Sequence, residues 1–520
     1  MMRYLPFFLF VLLVGCKETT TTDNTNAQQF TSNYDEPYRL QYHFSPPAKW
    51  MNDPNGLVYN DGVYHLFYQY YPEDIVWGPM HWGHATSKDL VHWENKPIAL
   101  YPDENGLIFS GSAVVDKDNT SGFGEDGVAP LVAIFTYHLM EGEKAGRTDF
   151  QTQGIAYSLD NGDTWTKYEG NPVIGNEGIK DFRDPKVFWD KDTKQWVMIL
   201  VAGDHAKFYK SPNLKDWKLM SEFGKDQGAH GGVWECPDLF PLDHPDPDHY
   251  AKKWVLLISM NPGAPNGGSG TQYFIGDWDG EKFTTDQKEP LWLDYGMDNY
   301  AGVTYNNEPY GERIFIGWMS NWNYARNTPT EAWRSSMTLP RTLKLKRFNE
   351  GVRLTNYPYD KVDTLVYDRE PVYYTEGPGQ VYFDSVNLNQ HRIQFKTSAK
   401  TDTYFILSNN LREEIEIGFF PEAGKMTFDR SQSGKVDFEP SFGAQRQEQP
   451  FNPDGDDIYV TAYIDASSIE IFVDWGRYVF TNQIFPNEPF DEVQVVPADE
   501  AALRWFRIDA IPSIWNKPTN

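Results

Sequence analysis

A chain of 520 residues that is 40% hydrophobic and 16% aromatic is long enough for two or three domains and lies far from the disordered class. Its formal charge of −28 repels phosphate backbones and anionic membrane surfaces, which sets nucleic acid aside and suits a soluble extracellular protein with a neutral substrate. The 18 Trp and 31 Tyr suit sugar-stacking faces and β-rich cores alike, so composition alone leaves carbohydrate open.

Residues 1–16 read as a lipoprotein-type signal peptide. One cation, Arg3, precedes an apolar run over 5–15 that is too short to span a bilayer. The run ends Leu13-Val14-Gly15-Cys16, which resembles a bacterial lipobox with Cys16 as the lipidated first residue. An ordinary cleaved signal with an incidental Cys is the rival. The polar, Thr/Asn-rich residues 17–37 read as a flexible tether. These features place the protein in a bacterial cell envelope, anchored outside the cytoplasm on the periplasmic or cell-surface side. The second cysteine is Cys236, so a lipidated chain has no intramolecular disulfide and rests on its core.

Helical periodicity is scarce beyond the tether, and short strands with turn signals follow one another. Residues 56–68 predict a hairpin, with Asp61-Gly62 supplying the positive φ angles of a type I′ turn. Residues 187–201, 239–258 and 303–318 predict three more. A polar turn closing on an aromatic recurs between them: Ser87-Lys-Asp-Leu-Val-His-Trp93, Ser158-Leu-Asp-Asn-Gly-Asp-Thr-Trp165, Ser211-Pro-Asn-Leu-Lys-Asp-Trp217 and, degenerately, Gly276-Asp-Trp-Asp-Gly-Glu-Lys-Phe283. Blade-sized spacing of such turns predicts a β-propeller, and four repeats plus a closing blade give five blades over 38–348. Residues 349–375 read as a linker with some order. Alternating short strands over 376–515 predict an antiparallel β-sandwich, without a catalytic cluster. The chain is thus all-β, a five-bladed β-propeller followed by a C-terminal β-sandwich.

Three acidic motifs stand out in the propeller half. In Trp50-Met-Asn-Asp-Pro-Asn-Gly56, Pro54 and Gly56 hold Asp53 in a stiff turn, with a simple Asx-turn as the plain alternative. In Asp181-Phe-Arg-Asp-Pro185, Arg183 is placed to keep Asp184 ionised, or merely to form a local ion pair. In Gly232-Val-Trp-Glu-Cys-Pro-Asp238, Glu235 sits between Trp and Cys-Pro, a setting expected to disfavour its charge as a general acid needs; the alternative is a solvated hairpin edge.

In this order the three motifs resemble glycoside hydrolase family 32, which contains invertases, inulinases and levanases. Phe67-Tyr-Gln69, Trp77-Gly-Pro-Met-His-Trp82, Phe109-Ser-Gly-Ser112, Gly270-Thr-Gln-Tyr-Phe-Ile-Gly276, Asp294-Tyr-Gly-Met-Asp-Asn-Tyr300 and Gly317-Trp-Met-Ser-Asn-Trp322 extend the resemblance over essentially the whole mature chain. The resemblance implies release of fructose from β-fructosides. Asp53 would be the nucleophile and Glu235 the general acid/base. Asp184 would hydrogen-bond fructosyl hydroxyls and stabilise the transition state. Asn52, Gln69, Trp77, Phe109, Ser110 and Arg183 match positions lining the fructose site, Trp77 least tightly. Retention follows from two carboxyls about 5–5.5 Å apart, and no cofactor or metal is implied. Aspartate at 53, where some endo-acting relatives carry Glu, leans toward exo action on levan, inulin, fructo-oligosaccharides or sucrose.

The rival readings are weaker. The 158–165 turn resembles the Asp-box of sialidases, but no arginine cluster accompanies it. An inverting arabinoside or xyloside hydrolase would share the fold but needs a wider carboxyl gap of roughly 6.5–9.5 Å. A non-catalytic glycan-binding lipoprotein predicts loss of an acid, and all three are present. Asp243-His-Pro-Asp-Pro-Asp-His249 is ligand-rich but reads as a solvated loop rather than a metal site. Cys236 is a poor nucleophile beside Glu235.

Overall fold

The expected hairpins form where turn chemistry demands them. Asp61 and Gly62 both have positive φ (44° and 85°) and join Lys49–Asn60 to Val63–Tyr71 in register. Three further antiparallel strand pairs follow at 182–202, 233–261 and 300–319. The computed structural model describes residues 32–515 except 247, 249, 250, 368, 385 and 386. Cys16, the expected signal peptide and most of the expected tether lie outside the described residues.

Five sheets carry the first domain, each a meander of four antiparallel strands. Their innermost strands are Lys49–Asn60, Leu107–Val115, Phe182–Asp190, Val233–Leu242 and Tyr300–Thr304, and each contacts the next in a closed ring. Trp333–Arg334 closes the propeller by pairing in parallel with Lys49 and Trp50. The repeated polar turn falls at one place in the first four blades, joining the third strand to the fourth. In each, a side-chain oxygen accepts backbone N–H groups two to four residues on: Asp89 from Val91 and His92, Asp160 from Thr164, Asn213 from Lys215 and Asp216, Asp279 from Glu281 and Lys282.

The fifth blade lacks this turn. Its outer pair, Arg341–Phe348 and Gly351–Pro358, reverses tightly at Asn349-Glu350, with Gly351 at a φ of 110°. The blade therefore runs to Pro358, beyond the boundary expected at 348. The remainder of the expected linker holds a short helix, Asp360–Asp363, whose Val362 packs with Leu365 and Val366 against Tyr463 and Phe472. The expected tether also ends early: the Tyr34 ring stacks on Trp515 at 3.7 Å and lies beneath the Arg39 guanidinium.

The second domain is a sandwich of two six-stranded sheets, ordered 373–376, 503–510, 391–398, 457–465, 468–473, 478–483 and 381–384, 492–497, 403–408, 414–420, 425–432, 447–450. Phe395, Phe405, Phe419, Phe428, Ile471 and Phe506 fill the space between them. The domains meet through buried charge. Arg341 bonds Asp294 and Glu470, and Arg430 bonds Asp298 while its guanidinium lies 3.8 Å from the Phe442 ring. No helix among the described residues is long and apolar enough to cross a membrane.

Candidate active site

Each innermost strand carries a register irregularity near its start. The irregularities fall at Asn52-Asp53, Phe109-Ser110, Asp184-Pro185, Cys236-Pro237 and Ala301-Gly302. A bulge re-aims one side chain out of the alternating pattern, and five at one level turn a packed axis into a site. Asp184, Cys236 and Ala301 take positive φ values of 64°, 44° and 53° there. Such backbone costs on the order of 1–3 kcal/mol for a residue with a side chain, and the surrounding ladders hold it. Pro54 and Pro185 follow Asp53 and Asp184, and Pro237 follows Cys236; lacking an N–H, they leave no donor stranded where the ladder breaks.

Three carboxyl groups meet at this level. Asp53 accepts from Ser110 Oγ at 2.6 Å and from Asn52 Nδ2 at 3.0 Å. Asn52 is itself fixed by Trp50 Nε1 at 2.7 Å. Asp184 accepts the Cys236 N–H at 3.0 Å, and Cys236 Sγ lies 3.6 Å from both Asp184 and Asp53. Glu235 takes Arg183 Nη2 at 2.9 Å on one oxygen and the Tyr300 hydroxyl on the other. Burial raises the Asp53 pKa against the Ser110 and Asn52 hydrogen bonds, and nearby Glu235 adds to the rise. Burial likewise lifts Asp184 to about 7; Arg183 opposes this, while Glu235 and Asp53 push the same way.

Two sequence expectations need correction. Trp234 and Cys236 do not give Glu235 an apolar setting. Strand alternation turns Trp234 into the core, where its Nε1 bonds Ala229 O at 2.9 Å, and the Glu235 carboxyl faces Arg183 and Tyr300 instead. Nor does Arg183 hold Asp184 at an ordinary carboxylate pKa. Its short bonds go to Glu235 and to Asp181 (2.7 Å), and only Nε approaches Asp184, at 3.9 Å. Burial pushes the Cys236 thiol well above its usual value, and the three acids add to it, so it makes no nucleophile.

The remaining expected site residues gather beside the acids. Phe109 stacks on His138 at 4.2 Å, and Trp77 meets the Phe109 ring edge-on at 6.1 Å. Gln69 lies behind the first bulge, donating to Asn55 Oδ1 at 2.7 Å and Ile108 O at 3.1 Å. Tyr300 and His138 were not singled out from sequence. Tyr300 could have been, since it ends the Asp294–Tyr300 motif. The Asp243-His244 loop follows the far end of the Glu235 strand, away from the acids; residues 247 and 249 lie outside the described ones.

The strain at Asp184 yields a stability prediction. Its folded pKa, about 7, lies above the ordinary 3.8, so the fold is penalised as pH rises through that interval. Asp184→Asn is expected to raise the melting temperature above pH 7, with the difference vanishing below 3.8. Equal melting curves at neutral pH would refute this reading.

The model for the glycosyl hydrolases family 32 N-terminal domain matches residues 43–358, and that for the family 32 C terminal matches 376–509. The chain belongs to glycoside hydrolase family 32. Within the family it is 46% identical over 500 residues to a levanase of Bacillus subtilis, covering 93% of this chain and 72% of that one. It is 42% identical over 523 residues to an extracellular exo-inulinase of Aspergillus niger, covering 93% and 96%. A crystal structure of an Aspergillus awamori exo-inulinase superimposes with a TM-score of 0.85 at 39% identity, covering 93% of this chain and 100% of that one. A fructofuranosidase from Schwanniomyces occidentalis complexed with fructosylnystose gives 0.81 at 33% identity, covering 93% and 99%. The family's propeller-plus-sandwich architecture accounts for the buried Asp294 and Asp298. Both acids of that motif bind arginines at the domain junction rather than lining the pocket.

Proposed function

We propose that this chain is a retaining, exo-acting β-fructosidase. Asp53 attacks the anomeric carbon of a terminal fructosyl unit while Glu235 gives its proton to the departing glycosidic oxygen. The C–O bond to the leaving group breaks as the bond to Asp53 forms. Glu235, now a carboxylate, takes a proton from water; the hydroxide attacks the same carbon, Asp53 leaves, and fructose departs with its configuration retained. Asp184 hydrogen-bonds the fructosyl hydroxyls, and Asn52, Gln69, Trp77, Phe109, Ser110 and Arg183 shape the pocket. The observation that carries this reading is Asp53 on the bulge of one innermost strand and Glu235 next to the bulge of another, each beside the Cys236 link to Asp184. Levanase, exo-inulinase and fructofuranosidase relatives support a β-fructoside substrate. Extracellular relatives support a place outside the cytoplasm, and the Cys16 anchor is part of the same proposal.

Product analysis on levan, inulin and sucrose tests it. Free fructose as the sole early product, released as the β-anomer by NMR, is expected. A ladder of oligomers would replace exo with endo action, an inverted anomer would exclude the covalent intermediate, and no release from any of the three would end the reading.

A further inference from the structure

The propeller axis has a second mouth. All five innermost strands run in one direction, so the acids cluster at their starts and a separate cleft of about 1200 Å³ opens at their ends. From Asp53 to Tyr59 along one strand is about 20 Å at the usual strand rise. Side-chain bonds span the axis between the two. Asn306 Nδ2 crosses the axis to Ala113 O at 2.8 Å and Val187 O at 3.0 Å. Lys186 pairs with the buried Asp238 at 3.1 Å and donates to Thr304 O. Together these bonds tie four blades across the axis between acids and cleft.

The walls of this cleft are aromatic. Phe188, Trp189 and Trp254 line it, half-buried, with Trp189 braced edge-on by Trp196 at 5.0 Å and Phe188 leaning on Trp254 at 5.7 Å. Its floor is polar and under-bonded. Tyr305 is fully buried and borders the cleft, yet its hydroxyl has no hydrogen-bond partner among the described residues. The Nε of Arg313, which also borders it, has none either. Buried donors are normally satisfied, so two orphans on one cleft point to a ligand rich in hydroxyls. The rim mixes signs, with Lys117, Lys191 and Lys252 set among Asp116, Asp118, Asp190, Asp192, Glu308 and Glu312, an acidic balance that disfavours an anion and leaves a neutral hydroxyl-rich chain as the fit to the aromatic walls.

We propose that this cleft is a second, non-catalytic site for a neutral oligosaccharide, namely an internal stretch of the β-fructan whose end enters the acid pocket of another molecule or of the same one. The ligand's identity rests on the proposed fructosidase function. A flat ring against a sugar's C–H face, with Tyr305 and Arg313 donating to its hydroxyls, would hold a long chain near the enzyme between cleavages. A pocket for one terminal unit cannot do that.

Calorimetric titration of the Glu235→Gln protein with levan oligosaccharides is expected to give two sites, and adding Trp189→Ala and Trp254→Ala to leave one. In otherwise native enzyme the same pair should raise KM for levan by roughly tenfold while constants for 1-kestose stay unchanged. Tyr305→Phe keeps the ring, removes only the hydroxyl and should weaken cleft binding several-fold without altering melting, which guards against a misfolded double variant. A single site in the Glu235→Gln protein, or levan affinity unaltered in Tyr305→Phe and in the folded Trp variants, overturns the proposal. Binding is read without turnover, so a protein that occupies the cleft but releases no fructose would sink the fructosidase reading alone.

Discussion

Glu235→Gln is expected to lower kcat on sucrose or levan by about 10²–10⁴-fold with KM little changed, the range a positioned proton donor contributes. The amide is nearly isosteric, and it can still accept from Arg183 on one side and donate to the Tyr300 oxygen on the other. The fold and the pocket should therefore persist, and the loss is chemical. The two carboxyls separate by leaving group. An aryl fructoside departs without protonation, so Glu235→Gln should still release the aryl alcohol in a burst and then stall, because no base remains to activate water. The stalled protein should carry a fructosyl adduct on a peptide containing Asp53, visible by mass spectrometry. Asp53→Asn should show neither burst nor adduct. Wild-type turnover of sucrose by the Glu235→Gln protein would remove the proton-transfer assignment, and an adduct elsewhere would remove the nucleophile.

What sequence could show about this site followed the chemistry of the backbone. Asp-Pro, Asp-Pro and Cys-Pro are legible because proline restricts its neighbours, and they mark three of the five bulges. The Asp61-Gly62 turn and the repeated Asx turns are equally local, which is why blade count and hairpins can be read from them. The surroundings of Glu235 are not local. Arg183 lies 52 residues before it and Tyr300 65 after it, so neighbours in sequence mislead about neighbours in space. Strand alternation made this worse, since Trp234 next door faces the core. Gly351–Pro358 was hidden for another reason: its blade closes by a tight reversal instead of the repeated turn, so no punctuation marked the domain's end. Asp294 and Asp298 show no role in a one-dimensional motif, and only the folded chain reveals their partners, Arg341 and Arg430 at the domain junction.

Arg341→Met is expected to destabilise the protein by about 3–5 kcal/mol, the cost of stranding a buried charge whose partner has been removed. Arg341 is fully buried and bonds Asp294 at 3.1 Å, Asn356 at 2.7 Å, Glu470 at 2.6 Å and Thr481 at 2.6 Å. Methionine matches its stem but takes the guanidinium away from both Asp294 and Glu470. Glu470 keeps one positive neighbour, His43, whose ring bonds Asp465 at 2.8 Å and Glu470 at 2.9 Å. Burial opposes protonation of His43, but those two acids raise its pKa from 6.5 to about 9. The folded value is the higher one, so this imidazolium adds stability that is whole below pH 6.5 and lost as pH rises through about 9. Denaturant melts across that interval should show the wild type weakening and His43→Gln flat. Arg341→Met should go on weakening to higher pH than the wild type, since His43 is then the sole cation on Glu470 among the described residues and holds its proton longer. Activity should fall with it, because Asn299, beside Tyr300, donates to Asp294 at 3.0 Å. If Arg341→Met melts within about 1 kcal/mol of the wild type, the charges are spectators, and the apolar seam around Tyr463 and Phe472 joins the domains instead.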